Sequence, residues 1–155
     1  MIGLVKMCMR KITDYLFTKK YNITKPVEIE DIDWNELHTL LQAEFPNAQI
    51  IITDRKYKVA PLSEYQRFIK WSTIDKREYI SDYYDCDDFS ISLLGEINIP
   101  EWSSLAFGMM FAKIPQGAHA INIFVDNNRN VWIVEPQNDN IFPLPSTWKP
   151  YFVLI

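Results

Sequence analysis

Cys86 stands in the run Tyr84-Asp85-Cys86-Asp87-Asp88-Phe89-Ser90, a single thiol bracketed by carboxylates. A thiol is nucleophilic as its thiolate, and it needs a base within hydrogen-bond reach and a third group to fix that base's tautomer. Two segments downstream carry such groups, Gly117-Ala118-His119-Ala120-Ile121-Asn122 and Val134-Glu135-Pro136-Gln137. The chain order is Cys86, His119, Glu135, with separations of 33 and 16 residues. A thiol, an imidazole and a carboxylate are the parts of a thiol hydrolase. The same parts serve acyl transfer to an amine, a transglutaminase-like reaction that differs in whether water is excluded. Each residue also has an ordinary explanation. Free cysteine is among the most buried residue types. A histidine among small residues at a strand start is commonly structural, and a glutamate before proline can simply face solvent.

Three such side chains need elements to hold them. Asp85 is a good N-cap, Asp87 and Asp88 fall in a first turn where the helix dipole favours negative charge, and Gly95 is expected to end the helix. Phe89, Leu93 and Leu94 form its apolar stripe, so this helix should pack inward with its N-terminus at a cleft. The helix end lowers the thiol pKa while the neighbouring carboxylates raise it. His119 to Asp126 and Val131 to Glu135 read as a hairpin about Asn127-Asn128-Arg129-Asn130. Register decides whether His119 and Glu135 share a face. Pairing Asp126 with Val131 would put Glu135 opposite Asn122 and send His119 to the other side. Pairing Val125 with Val131 leaves Glu135 one diagonal step from His119, about 7–8 Å by Cα. Either that longer loop, with its Asn residues taking the left-handed conformation, or a bulge is therefore expected.

The rest of the chain reads as helices first and a sheet after. Residues 2–17 carry helical periodicity, with Val5, Cys8/Met9, Ile12 and Tyr15/Leu16 on one face and Cys8 as a small buried hydrophobe. Lys19 to Asp31 reads as a connection. Asp33-Trp34-Asn35-Glu36 is a capping box opening a helix that Pro46 stops, with His38 on its flank. Gln49 to Thr53 is a strand candidate with Tyr57 to Ala60 as its return, and Ser63 begins a helix with Tyr65, Phe68 and Ile69 inward. Leu105 to Ile114 reads as a buried strand and Phe152 to Ile155 as a terminal one. Trp102, Phe107, Trp132 and Trp148 look like an exposed aromatic set.

Composition narrows the class. The 155 residues, 48% hydrophobic and 14% aromatic, suffice for one globular domain with a real core. The net charge of −4 gives no general attraction to nucleic acid or anionic membrane, so neither is expected as a partner. Cys8 and Cys86 make no disulfide framework, and two histidines give no zinc-finger spacing. Lys6, Arg10 and Lys11 interrupt the N-terminal apolar residues, and no apolar run approaches the roughly 18 residues of a membrane span. A soluble, intracellular setting is expected, and virion association is compatible with it. The oligomeric state is not indicated.

Taken together, Asp85-Cys86-Asp87-Asp88-Phe89, Gly117-Ala118-His119-Ala120-Ile121-Asn122 and Glu135-Pro136-Gln137 resemble a known family. It is the papain-like cysteine protease domain that forms the C-terminal half of the Marasmius oreades mushroom agglutinin, with related small domains in bacterial viruses. The resemblance runs from Ser63 to Ile155. It implies an α+β, papain-like fold, N-terminal helices packed on a C-terminal antiparallel sheet with the nucleophile at a helix N-terminus. On this likeness residues 1–155 form a single domain, with 1–62 an extension and 63–155 the core. The likeness makes Cys86 the nucleophile, His119 the general base and then acid, and Glu135 the orienting carboxylate, acting on a peptide or protein substrate. The agglutinin domain is calcium-activated, which implies calcium as a cofactor and a second task for Asp85, Asp87, Asp88, Asn138 and Asp139. One position departs from the pattern. Papain-like enzymes place an oxyanion-hole glutamine shortly before the cysteine, where this chain has Ile80, and the nearest upstream glutamine is Gln66. Loss of one such donor costs about two to three orders of magnitude. The alternatives are a non-catalytic structural or interaction protein that keeps the fold, and a calcium-binding module without chemistry.

Overall fold

Local chemistry sets most element boundaries in the computed structural model, which describes residues 2–155, with side chains from Arg10 onward. Helix α1 (Ile2–Tyr21) leads to strand β1 (Glu30–Asp33) and helix α2 (Trp34–Glu44). The Asp33 carboxylate accepts the Glu36 N–H at 3.0 Å, the cap that the sequence signals. Strands β2 (Gln49–Ile51) and β3 (Lys56–Val59), helix α3 (Leu62–Trp71) and a short 3-10 turn (Ile74–Lys76) follow. Helix α4 (Cys86–Ile97) precedes the meander β4 (Phe107–Ile114), β5 (Gly117–Val125), β6 (Val131–Glu135) and β7 (Asn140–Phe142), and β8 (Lys149–Leu154) closes the chain.

The fold is α+β. Six strands form one sheet in the order β2-β8-β4-β5-β6-β7, and β1 and β3 make a separate antiparallel ribbon. The sheet is mixed rather than antiparallel throughout, because β2 joins β8 in parallel. Residues from the first sixty thus extend the sheet. Tyr57 to Ala60 does not return along β2; β3 pairs with β1, inside a stretch that reads as a connection. In β1 only Ile32 turns inward, so Glu30, Asp31 and Asp33 leave little apolar alternation to detect.

Side chains alternate between two cores. Phe124 of β5 joins Phe68 of α3 and Phe89 and Leu93 of α4 on one face, while Ile121 and Ile123 join Leu37 and Leu41 of α2 on the other. Trp102 and Phe107 are buried in the first core, and Trp132 packs against it half-buried; the expected exposed aromatic set does not exist as such. Helix α1 also departs from expectation, since Ile12, Tyr15 and Leu16 face solvent and Phe17 packs inward. The side chain of Cys8 lies outside the described residues. Gly95 sits within α4, because Ile97, 3% exposed, adds another buried contact before the N–H of Asn98 closes the helix on the Gly95 carbonyl. Among the described residues, no helix is long and apolar enough to cross a membrane.

Candidate functional site

Helix α4 is fixed to β5 by a relay of polar contacts. The Asp88 carboxylate accepts the Asp85 N–H at 3.2 Å and starts the helix. One turn on, the Ser90 hydroxyl donates to the Cys86 carbonyl at 2.8 Å. Asn122, fully buried on β5, donates from Nδ2 to the Ser90 carbonyl at 3.0 Å and the Gly108 carbonyl at 3.1 Å. Cys86 is left half-buried, with the backbone N–H of Ala120 aimed at its sulfur.

The hairpin places the neighbouring pair. Val125 opposes Val131 and Asn122 opposes Val134, so the loop spans Asp126 to Asn130. The fully buried Asp126 carboxylate organises that loop, accepting from the N–H groups of Asn128 and Asn130, the Asn130 amide and the Trp132 indole. Arg129, rather than an asparagine, takes the left-handed conformation at φ 65°. Its guanidinium is held there by Glu30 and Glu36. This register puts His119 and Glu135 on one face, with Nε2 and Oε2 2.8 Å apart. Glu135 Oε1 also accepts the Gln137 N–H, and the edge of the His119 ring meets Trp148 at 5.7 Å.

The Cys86 thiol of α4 faces Ala120, the residue after His119 on β5, yet it is not joined to the His119–Glu135 pair. Among the described residues no hydrogen bond connects Cys86 and His119. Burial pushes the Cys86 thiol up, and the charges of Asp85 and Asp87 push it further, against the opposing pull of the Ala120 N–H. Cys86 is therefore less ionised at neutral pH than the few per cent of a free thiol. The carboxyls of Asp85 and Asp87 hydrogen-bond to each other, which lowers Asp85 and raises Asp87.

The five oxygen donors expected around calcium do not assemble. Asp85 and Asp87 converge with Cys86, their donor atoms within 4.8 Å of one another, and among the described residues no other acidic, His or Cys group joins them. Asp88 is engaged with the Asp85 N–H, and the Asn138 side chain accepts the Asn140 N–H. Asp139 faces Asp75, Lys76 and Glu96 instead. Calcium takes six to eight oxygen ligands, so two carboxylates and a thiol do not fit it as a cage.

The surface around the thiol includes residues that pattern alone does not mark. The Tyr79 hydroxyl faces Asp85, Cys86 and Asp82. Tyr79 is 54% and Tyr83 84% exposed, and Ile80, at the glutamine position of papain-like enzymes, is also exposed. The aromatic density of Tyr79, Tyr83 and Tyr84 just before Cys86 was the available signal.

A family model described as Agglutinin C-terminal matches residues 57–141. A solved structure described as the PSL1a-E64 complex is similar, with 26% identity and a TM-score of 0.72 over 81% of this chain and 50% of that one. The Polyporus squamosus lectin bound to a human-type influenza-binding epitope, Neu5Aca2-6Galb1-4GlcNAc, is similar at 26% identity and a TM-score of 0.68, over 81% and 49%. This chain spans about half the length of the solved structures that it matches. No curated protein matches it. These findings overturn the thiol-hydrolase expectation, and with it the cysteine-peptidase and transglutaminase-like assignments and the peptide substrate. The matches are to agglutinin and lectin proteins, which are named for binding. Cys86, whose thiol is pushed up by burial and the flanking carboxylates and makes no hydrogen bond to His119, agrees with this outcome.

Proposed function

Because the chain belongs to the Agglutinin C-terminal family, we propose that it is a non-catalytic binding module whose ligand is an uncharged carbohydrate. The observation that carries this reading is the pairing of exposed aromatic faces with carboxylates at the start of α4. Tyr79 and Tyr83 present flat rings to solvent, suited to the C–H faces of a sugar, while Asp85 and Asp87 offer acceptors for its hydroxyls. The glycan in the description of the Polyporus squamosus lectin supports the ligand class. Its sialic acid does not suit this surface, since Asp82, Asp85, Asp87 and Asp88 would repel a carboxylate. We further infer a papain-like layout, supported by a helix N-terminus bearing Cys86 set against a strand bearing His119. In a binding module, His119, Glu135 and Trp148 then act as a fixed structural cluster on the sheet rather than as reacting groups.

Screening the whole chain on an array of neutral and sialylated oligosaccharides tests the proposal, followed by calorimetry on the best neutral hit. Tyr83→Ala and Asp87→Asn are expected to weaken binding by about tenfold or more each, roughly 1.4 kcal/mol, with unfolding midpoints unchanged. A sialylated glycan should bind no better than its asialo form. Retention of no glycan, or variants that bind as the parent does, overturns the reading.

A further inference from the structure

The far end of α4 borders a cavity of about 280 Å³ that the carbohydrate surface does not use. Leu94 and Ile97 lie roughly 15 Å along the helix axis from Cys86, and they form one wall of it. Leu105 from the following loop, Phe107 of β4, Leu154 of β8 and Ile155 complete its apolar lining, and Trp102, also bordering it, is fully buried. Asp54, Asn98 and Ser103 stand exposed at its rim.

The walls are held in place, so the space does not close by side-chain rearrangement. The Trp102 indole N–H donates to the Thr24 carbonyl at 3.1 Å, and its ring lies between Phe68 and the Arg67 guanidinium, 4.8 and 5.0 Å away. The Tyr57 hydroxyl, also in the lining, donates to the Ile155 carbonyl at 2.9 Å and accepts the Asp54 N–H at 2.9 Å. Strands β4 and β8 are already in contact behind it, because a Cβ on Gly108 would sit 2.2 Å from the Leu154 carbonyl oxygen. The space opens to solvent at its rim, and water against its apolar floor finds few polar partners there. A preformed apolar pocket with a few polar groups at its mouth is the usual form of a small-molecule site.

We propose that this cavity is a second binding site, for a compact, uncharged, bicyclic-sized apolar molecule carrying one hydrogen-bond donor. The ring lies against Leu94 and Leu154, over a floor of Ile97, Leu105 and Phe107, and its donor points outward to the Asp54 carboxylate. The same carboxylate repels an anion.

Indole is the probe, titrated into the methyl-labelled whole chain and followed by NMR, with indole-3-acetate as its anionic counterpart. Saturable one-to-one shifts are expected at the methyls of Leu94, Ile97 and Leu105, with indole-3-acetate binding about tenfold or more weaker. Leu94→Trp should fill the space and abolish the shifts. Ser103→Trp should cover the mouth from an exposed position and do the same without touching the core. Four results overturn the proposal: no saturable shift up to the solubility of indole, shifts centred on Cys86 and His119, equal binding of both probes, or parental binding by folded Ser103→Trp.

Discussion

His119 Nε2 and Glu135 Oε2 meet at 2.8 Å although neither residue opposes the other in the sheet. With Val125 opposite Val131, the ladder extended beyond Val134 sets Glu135 across from Ile121, one diagonal step from His119. Both side chains then point to the same face, each about 15% exposed, where Trp148 closes over the imidazole. The contact is a consequence of loop length, and a loop one residue shorter would part the pair.

Asp126 maintains that loop. It is 1% exposed and accepts hydrogen bonds from Asn128, Asn130 and Trp132, so Asp126→Ala strands several donors. A loss of about 2–4 kcal/mol is expected in urea unfolding, with a smaller loss for Asp126→Asn. The His119 ring resonances should shift in both variants. An Asp126→Ala protein as stable as the parent refutes this account of the register.

Gly108 marks the closest approach of β4 and β8. An added Cβ would meet backbone atoms of Leu154 and Ile155 rather than a yielding side chain. Gly108→Ala should therefore cost about 3 kcal/mol or more, or prevent folding. A change below about 1 kcal/mol in chemical denaturation would show that the strands can separate cheaply.

Cys86 should be a slow nucleophile. In a Cys8→Ser background, its alkylation by iodoacetamide at pH 8 is expected to lag that of a free thiol, because burial and the Asp85 and Asp87 charges hold its pKa up. The double variant Asp85→Asn, Asp87→Asn removes the second cause and leaves the first. Its rate should rise but stay below that of the free thiol. A pH–rate profile with a midpoint below the ordinary thiol range contradicts this assignment.

Asp139 makes stability depend on pH in an unusual direction. Burial, then the charges of Asp75 and Glu96, push its carboxyl up to about 6, against the pull of Lys76. A carboxyl raised on folding binds its proton more tightly in the native state. It therefore costs stability when charged, above about pH 6, and that cost disappears as the pH falls through the folded pKa toward the unfolded value of about 3.9. Asp139→Asn should stabilise the protein at pH 7.5, by no more than about 1 kcal/mol because the group is largely screened by solvent. At pH 4 it should have little effect. Equal effects at both pH values, measured by thermal unfolding, exclude this origin.

Several features were legible in the residues themselves because their causes are local. Asp33 and Asp85 start helices by engaging N–H groups within one turn, and the period of two in residues 119–125 assigns opposite faces whatever packs on them. Requiring Glu135 to reach His119 left an odd-length loop or a bulge, and the structure has the loop, with Val125 opposite Val131. The left-handed site inside the loop was not legible, because Glu30 and Glu36, distant in sequence, hold Arg129 there.

What the tertiary structure decided concerns partners separated by many residues. It took β3 away from β2, buried Trp102 and Phe107, and turned Asp139 toward Asp75 and Glu96 instead of Asp85. It also set the ionisation of Cys86. The sequence placed a helix dipole and carboxylates beside that thiol with opposing effects, and their balance depends on desolvation, which exists only once β5 packs against α4. Residue types and spacing therefore determined which chemical groups come together at the start of α4. Whether the thiol among them carries a charge was fixed by packing, because the free energy of an ion depends on the whole surrounding volume and not on its neighbours along the chain.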